Sequence, residues 1–372
     1  LEQKVAQLFV VSPETLTGVD SVQYAGDMTY QALQDYPVGG IVFAKDNIDS
    51  SSQFGTMTDN LQSYSEDISG LPLFLAAAEE GGSASVLGNN DNLDEYYENS
   101  YSDDGSDYSS SSANSVHSGA PSMSEIGRKD DSTNAYEAGK SIGSLMSAYG
   151  LNLDLAPVAD VLSGNSTGIG NRTFGTDAQT VSDMALEVIR GIQEEDVNAA
   201  MKYFPGYGAA SSNMSGFPVI NSSLDELKKK EFLPYSNAIA QGMDFVMVGH
   251  ISVPNVTGDD TPASLSEKMI SEVLRKDLEF KGIVMTDYLN DKTIVKNYGA
   301  ADAAVKAIQA GADLLLEPDD LEAAYEGVLK AVKKGDITED RLDESIYRIL
   351  RVKLSMQDES SDTTESESVS DY

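Results

Sequence analysis

Short apolar runs alternate with longer amphipathic segments along most of this 372-residue chain. Each run is continuous and rich in aliphatic residues, as expected of strands that are buried on both faces of a parallel sheet. The predicted strands are Leu8–Val11, Gly40–Phe43, Leu73–Ala77, Leu153–Leu155, Ala199–Lys202, Phe245–Val248, Ile283–Thr286 and Asp313–Leu316. Eight strands with helices between them predict a single-domain α/β fold, a closed (β/α)8 TIM barrel, rather than an open sheet.

The segments between these strands carry apolar residues at helical spacing. The tetrapeptide Ser-Leu-Asp-Glu at 223–226 is a capping box, and it predicts a helix that continues to about Gln241. Further helices are predicted over Ser266–Asp277, Ala301–Ala310, Leu321–Lys334 and Thr338–Leu354.

Two acidic segments depart from this pattern. Residues 88–118 contain seven acidic residues and no basic one, and residues 357–372 contain six acidic residues and no basic one. Both have too little apolar surface to offset the entropy of ordering, so we expect both to be disordered. The predicted organisation is one barrel domain over residues 1–356, which contains the insert 88–118, followed by the tail 357–372.

The charge and the cysteine count exclude several classes of function. With 61 acidic and 25 basic residues the net charge is −36, which argues against binding to nucleic acid or to an anionic membrane surface. The chain has no cysteine and two histidines, so we predict no metal site and no cofactor. No run of about 18 apolar residues could form a transmembrane segment. Acidity, the absence of cysteine and a first residue other than Met favour an extracellular or cell-envelope protein that has lost an N-terminal segment.

Polar side chains follow most of the predicted strands, at the end of a barrel where active sites are built. The strand-end residues singled out are Glu79, Glu80, Asp160, Arg172, Lys202, His250 and Asp287. We therefore expect these side chains to meet at one edge of the barrel.

The heptapeptide Lys-Tyr-Phe-Pro-Gly-Tyr-Gly at 202–208 resembles the Lys-His-Phe-Pro-Gly-His-Gly loop of family 3 glycoside hydrolases of the β-N-acetylglucosaminidase type. The resemblance extends in order through Leu1–Phe9, Gly39–Phe43, Thr286–Leu289 and the helix that ends at Lys353. It covers the chain from residue 1 to about 356 apart from the insert. It implies a TIM barrel that acts on a carbohydrate, such as a peptidoglycan-derived sugar.

The resemblance assigns the nucleophile position to Asp287, within the Thr-Asp-x-Leu motif. The alternative is that Asp287 caps a helix or binds a backbone amide. The family's acid–base pair is an aspartate and a histidine, and here the corresponding residues are Asn213 and Ser215. Neither side chain titrates near neutral pH, so the resemblance predicts a degenerate acid–base loop.

The resemblance also assigns substrate-binding positions to Arg172, Lys202, Tyr203, His250 and Glu80. Two neighbouring positions depart from the family's Asp-x-Glu-Gly-Gly-Arg motif, because this chain has Ala78 and Ser83 there. The alternatives are an internal salt bridge for the two cations and a wall position for the histidine.

Two hypotheses about function follow. The first is a catalytically impaired or silent carbohydrate-binding relative of the β-N-acetylhexosaminidases. The second is an active retaining exo-glycosidase on β-N-acetylglucosaminide-type substrates, with Asp287 as nucleophile and an unrecognised acid. Whether the chain is an enzyme therefore stays open at the level of sequence.

Overall fold

The computed structural model describes residues 1–93, 120–163, 169–211 and 216–367, with side chains described as far as Gln357. Its parallel strands are β1 Phe9–Val11, β2 Gly40–Val42, β3 Phe74–Ala77, β4 Leu153–Asp154, β5 Asn198–Phe204, β6 Phe245–Val248, β7 Ile283–Thr286 and β8 Leu315–Leu316. They pair in chain order, and β1 also pairs with β8. A bridge between Met285 and Leu314 joins β7 to β8, so the predicted TIM barrel is confirmed.

Nearly every strand residue is buried, which explains why the strands are apolar along their whole length. Inside the barrel the rings of Phe74 and Phe245 meet edge to face, with centroids 5.5 Å apart. Gly40 is required at the start of β2, since a side chain there would overlap the backbone oxygen of Phe74 on the adjacent strand. The barrel interior is therefore a packed apolar core that carries the polar strand ends above it.

Helices surround the barrel. The α-helices are Glu2–Ala6, Pro13–Thr17, Asp27–Asp35, Ser51–Ser69, Met123–Lys129, Ser132–Ala148, Ala178–Gln193, Leu224–Lys229, Leu233–Ala240, Pro254–Thr257, Lys292–Asn297, Ala300–Ala310, Leu321–Lys334 and Glu339–Glu367. Single 3₁₀ turns occur at Lys45–Asn47, Gly82–Ala84, Asp91–Leu93, Gly170–Arg172, Tyr207–Ala209 and Ala263–Leu265. Within the described ranges, no helix has an apolar stretch long enough to cross a lipid bilayer.

Two predicted helices differ in detail. The single helix expected from residue 223 to about 241 is interrupted between Lys229 and Leu233. Its second part begins with Pro234 in the first turn, where proline costs no backbone hydrogen bond. The segment Lys268–Asp277 is a π-helix rather than the α-helix that we expected.

Both acidic segments are structured where the structure describes them. The last helix continues past the predicted boundary at 356 to Glu367, because extending an existing helix costs far less than starting one. At the start of the insert, the Asn90 and Asn92 side chains donate to the backbone oxygens of Lys45 and Ile48. Leu93 is buried beside them. The rest of the insert, 94–118, lies outside the described residues.

Asp313, just before β8, fixes the last helix against the barrel. This buried carboxylate accepts hydrogen bonds from Ser345 at 2.7 Å and from Arg348 at 3.0 Å, both on the last helix. It also bonds Arg275 of the π-helix and the Val284 backbone N–H of β7. One carboxylate therefore ties two helices to two strands at the end of the barrel opposite the polar strand ends.

Candidate active site

Asp287 lies directly after β7, at the carboxyl end of the barrel, and its backbone N–H donates to the Val248 oxygen at the end of β6. Both of its side-chain oxygens have partners. Oδ1 accepts the Tyr288 N–H at 2.9 Å, and Oδ2 accepts the Tyr207 hydroxyl at 3.2 Å. The carboxylate is thus held in place by its own neighbour and by the loop that follows β5.

Tyr207 connects that loop to two other strand ends. While its hydroxyl donates to Asp287, it accepts the backbone N–H of His250 at 3.0 Å. Burial raises the pKa of Tyr207 well above its ordinary value, and the nearby charge of Asp287 raises it further. The phenol therefore keeps its proton at neutral pH and acts as a hydrogen-bond donor to Asp287.

Asp160, which follows β4, positions the loop that carries Tyr207. This buried carboxylate accepts the Tyr207 N–H at 2.9 Å and the Tyr203 N–H at 3.4 Å. Burial raises the pKa of Asp160 to about 7, against the lowering effect of these two amides. The rings of Tyr203 and Tyr207 meet edge to face with centroids 5.2 Å apart, so the two side chains pack against each other.

Arg172 and Lys202 both bind Glu80. The Arg172 guanidinium donates to the two Glu80 oxygens at 2.6 and 2.7 Å, and Lys202 Nζ lies 2.5 Å from Oε1. Arg172 also donates to the Tyr203 hydroxyl at 2.6 Å. Burial alone would raise the pKa of Glu80, but Lys202 and Arg172 together hold it below its usual range. Glu80 is therefore the counter-ion of both cations, as in the internal salt bridge considered from the sequence.

Glu79 serves the loop that follows β3. Its two carboxyl oxygens accept the Leu87 N–H at 2.8 Å and the Gly88 N–H at 3.1 Å. Burial raises its pKa, partly offset by these hydrogen bonds. Among the hydrogen bonds of the described residues, none joins Glu79 or Glu80 to Asp287.

His250 is buried, and both of its ring nitrogens are engaged. Nε2 lies 2.8 Å from the Tyr288 carbonyl oxygen, to which it donates, and Nδ1 shares a hydrogen bond of 2.7 Å with the Ser264 hydroxyl. The imidazole thus has protein partners for both ring nitrogens and offers neither to the space beside Asp287.

That space is a cavity of about 360 Å³. Its lining residues are Tyr207, Phe217, Pro218, His250, Asp287, Tyr288, Asn290, Asp291 and Thr293. Asp291 is exposed and caps the helix Lys292–Asn297 by accepting the Thr293 N–H at 2.7 Å.

Reasoning from the sequence missed most of this wall, because Phe217, Pro218 and the residues after Asp287 lie in loops that carry no strand-end signal. The available signal for Asp291 was its place just before a helical segment, which is typical of a cap.

The predicted site residues form two adjoining groups. Arg172, Lys202, Tyr203 and Glu80 make one network, while His250 and Asp287 line the cavity. The contact between Tyr203 and Tyr207 joins the two groups. Asn213 and Ser215 lie outside the described residues. In the part of the chain that the structure describes, no cluster of three or more His, Asp or Glu side chains could hold a metal ion.

Comparison with known proteins gives a consistent result. The family model of the glycosyl hydrolase family 3 N-terminal domain matches residues 111–352. The chain is 27% identical over 359 residues to β-hexosaminidase LpqI of Mycobacterium tuberculosis. This alignment covers 94% of this chain and 82% of that protein.

Solved structures agree. A family 3 β-N-acetylglucosaminidase from Paenibacillus sp. FPU-7 superposes with a TM-score of 0.83 and 30% identity, over 96% of this chain and 62% of that one. A family 3 glycosyl hydrolase from Mycobacterium smegmatis superposes with a TM-score of 0.75 and 30% identity, over 95% of this chain and 96% of that one.

Proposed function

Because this chain belongs to glycosyl hydrolase family 3 and is similar to its β-N-acetylhexosaminidases, we propose that it binds a carbohydrate at the carboxyl end of the barrel but cleaves glycosides weakly or not at all. The observation that supports this most is the hydrogen bond from the Tyr207 phenol to the carboxylate in the nucleophile position, Asp287. The ligand that we propose is a peptidoglycan-derived or related sugar. The extracellular or cell-envelope location stays a prediction.

Retaining hydrolysis needs two groups about 5 Å apart, a nucleophile and an acid that protonates the leaving oxygen. The group that contacts Asp287 Oδ2 is a phenol whose pKa is raised, which makes it a poor proton donor at neutral pH. Glu80 stays ionised between two cations and has no proton to donate. Asn213 and Ser215 carry no proton that titrates near neutral pH. Loss of a positioned acid typically slows such a reaction by about 10²–10⁴-fold.

One observation favours the second candidate, an active retaining exo-glycosidase. Asp291 contributes a second carboxyl group to the cavity that Asp287 lines. Its Oδ1 caps a helix, while no hydrogen bond of the described residues engages Oδ2. Asp291 is therefore the residue that we would assign as the unrecognised acid if the protein proves to hydrolyse β-N-acetylglucosaminides.

An aryl β-N-acetylglucosaminide separates these two functions, because its phenolate leaving group needs little protonation. We expect no turnover of this substrate, or slow turnover that azide accelerates with formation of the β-glycosyl azide. We expect no cleavage of the β-1,4-linked disaccharide of N-acetylglucosamine (the N-acetylated disaccharide), because its sugar leaving group needs an acid. Efficient cleavage of both substrates without azide would contradict the proposal.

Three variants identify the groups responsible. Asp287→Asn should abolish any azide-dependent turnover, since azide then has no glycosyl-enzyme to intercept. Asp291→Asn should leave it unchanged if the site lacks an acid, and should remove cleavage of the disaccharide if Asp291 is the acid. The combined Asn213→Asp and Ser215→His variant restores the family's pair, and we expect it to increase disaccharide cleavage.

A further inference from the structure

We propose that the cavity beside Asp287 selects an amino sugar with a free ammonium group over the N-acetylated form of the same sugar. This inference rests on the proposed function, because it concerns the ligand of the same site.

The wall carries negative charge without a compensating cation. Asp287 and Asp291 both line the cavity, whereas none of the lining residues that the structure describes is a lysine or an arginine. The stretches outside the described residues, 94–119, 164–168, 212–215 and 368–372, contain no lysine or arginine either. None of them can therefore bring a permanent cation to this wall.

The two cations of the neighbouring network offset only part of this charge, because together with Glu80 they leave one positive charge against the two carboxylates of the wall. Arg172 and Lys202 are both bound to Glu80, and neither side chain lines the cavity. Arg172 directs a further N–H to the Tyr203 hydroxyl, so its Nε and Nη2 donors are used within the protein. His250, which does line the cavity, turns both ring nitrogens to protein partners.

The remaining wall is aromatic. Tyr207, Phe217 and Tyr288 line the cavity together with the two carboxylates. Aromatic rings pack against the apolar faces of sugars, and their π-faces attract cations within about 6 Å of the ring centre. A volume of about 360 Å³ accommodates a monosaccharide unit. Carboxylates and aromatic rings together suit a sugar ring that carries an ammonium group.

The absence of the family's aspartate at position 78 is consistent with recognition of an ammonium group by Asp287 and Asp291. Ala78 stands where the family motif has aspartate, so this acceptor for sugar hydroxyls is absent on the β3 side of the site, where the Glu80 carboxylate is bound to two cations. The carboxylates described at the cavity belong instead to the segment after β7. Charge recognition is thereby shifted to the side of the site formed by Asp287 and Asp291.

The experiment compares the β-1,4-linked glucosamine disaccharide with its fully N-acetylated form by isothermal titration calorimetry. At about pH 6 the free amines are protonated, as amines with ordinary pKa values are. At low salt we expect the glucosamine disaccharide to bind at least about tenfold more tightly, with the difference shrinking at about 0.3 M NaCl. Equal or tighter binding of the N-acetylated disaccharide, or no binding of the glucosamine disaccharide, would overturn the inference.

A matched pair of variants separates the cavity from the general acidity of the protein. Asp291→Asn removes one charge from the wall, and asparagine is as good a helix cap as aspartate. Asp177→Asn makes the same change at the cap of Ala178–Gln193, a residue that is not part of the cavity wall. We expect the first variant to weaken glucosamine binding about two- to fivefold and the second to leave it unchanged. Equal effects would assign the preference to the overall charge and overturn the inference.

The two proposals fail on different measurements. Efficient cleavage of the N-acetylated disaccharide would refute the weak or absent hydrolysis that we propose for the site. The preference for a cationic sugar depends only on the ratio of the two affinities. If the wild-type protein hydrolyses the ligand, this ratio can be measured with sulfur-linked analogues of the two disaccharides, which leave both Asp287 and Asp291 in place.

Discussion

Tyr207 determines the environment of the Asp287 carboxylate, for which we propose the nucleophile position. Its hydroxyl is the only partner of Asp287 Oδ2 among the described hydrogen bonds, and it is itself fixed by the His250 N–H. A carboxylate oxygen that accepts a hydrogen bond is less nucleophilic than a free one, because the bond stabilises its charge. The family loop that this segment resembles has histidine at this position, so a single substitution alters the group that faces Asp287.

A double-mutant cycle tests this coupling. Tyr207→Phe and Asp287→Ala should each destabilise the protein, and their effects on the free energy of unfolding should be non-additive by about 1 kcal/mol. This value lies below the usual range for a charged hydrogen bond because Asp287 is only partly buried. Urea unfolding of the four proteins gives the coupling energy.

Tyr203→Phe provides the matched control. The Tyr203 hydroxyl accepts from Arg172 and has no hydrogen bond to Asp287, although its ring contacts Tyr207. A cycle of Tyr203→Phe with Asp287→Ala should therefore be additive within about 0.5 kcal/mol. If both cycles give the same coupling, the Tyr207–Asp287 hydrogen bond has no specific energetic role.

Part of the site could be predicted from single residues. Lys202, His250 and Asp287 end or follow apolar runs, and parallel strands bring such residues to one edge of a barrel. The pairing of Tyr207 with Asp287 could not be predicted, because it depends on how the loop after β5 turns toward β7. That turn is fixed by Asp160, whose side chain binds two backbone amides of the loop.

At the scale of elements, the last helix is joined to the first through a buried lysine. Lys353 is fully buried and donates to the Gln7 side-chain oxygen at 2.9 Å, just after the helix Glu2–Ala6. Its Nζ also lies 5.1 Å from the centre of the Phe74 ring. Burial lowers the pKa of Lys353 to about 7. The folded protein therefore favours the neutral amine of Lys353, whereas the unfolded chain carries the charged form at the same pH.

This shift predicts a dependence of stability on pH. Between pH 7 and the ordinary lysine pKa, the unfolded state binds a proton that the folded state does not, so raising the pH favours folding. Relative to a Lys353→Met variant, the wild-type protein should gain about 2–3 kcal/mol in free energy of unfolding between pH 7 and about pH 9. Well below pH 7 the difference should be constant, because both states are then protonated.

Lys268→Met is the control for this measurement, since Lys268 is exposed and pairs with Glu272. Its removal should leave the pH dependence of unfolding between pH 7 and about pH 9 unchanged. A Lys353→Met variant that follows the wild-type pH profile would show that Lys353 is charged in the folded protein.

The elements themselves were predictable to different degrees. All eight strands lie at the predicted runs, because a short apolar run bounded by turns has few alternatives in an α/β chain. The break between Lys229 and Leu233 was missed because periodicity continues across it, although Pro234 marked it. The length of the last helix was missed because the acidic composition after residue 356 outweighed the helix that precedes it.

At the scale of the whole molecule, acidic residues outnumber basic ones by 61 to 25. Pairing cannot remove this excess, since each ion pair uses one acidic and one basic residue, and several ion pairs of the described residues are exposed pairs of low energetic value. Like charges on a compact surface repel one another, which destabilises the folded state and keeps the protein soluble. The same excess attracts cations toward the barrel, in agreement with the ligand that we propose.

Repulsion of this kind predicts that salt stabilises the fold. Raising NaCl from about 10 mM to about 300 mM shortens the distance over which charges interact from about 30 Å to less than 10 Å. We therefore expect the unfolding temperature to rise by several degrees, with most of the rise complete by about 0.2 M, because screening saturates once the interaction distance is shorter than the spacing of the charges. Stabilisation by exclusion of salt from the protein surface would instead continue to increase with concentration. An unfolding temperature that falls with salt would mean that attractive ion pairs outweigh the repulsion among the excess carboxylates.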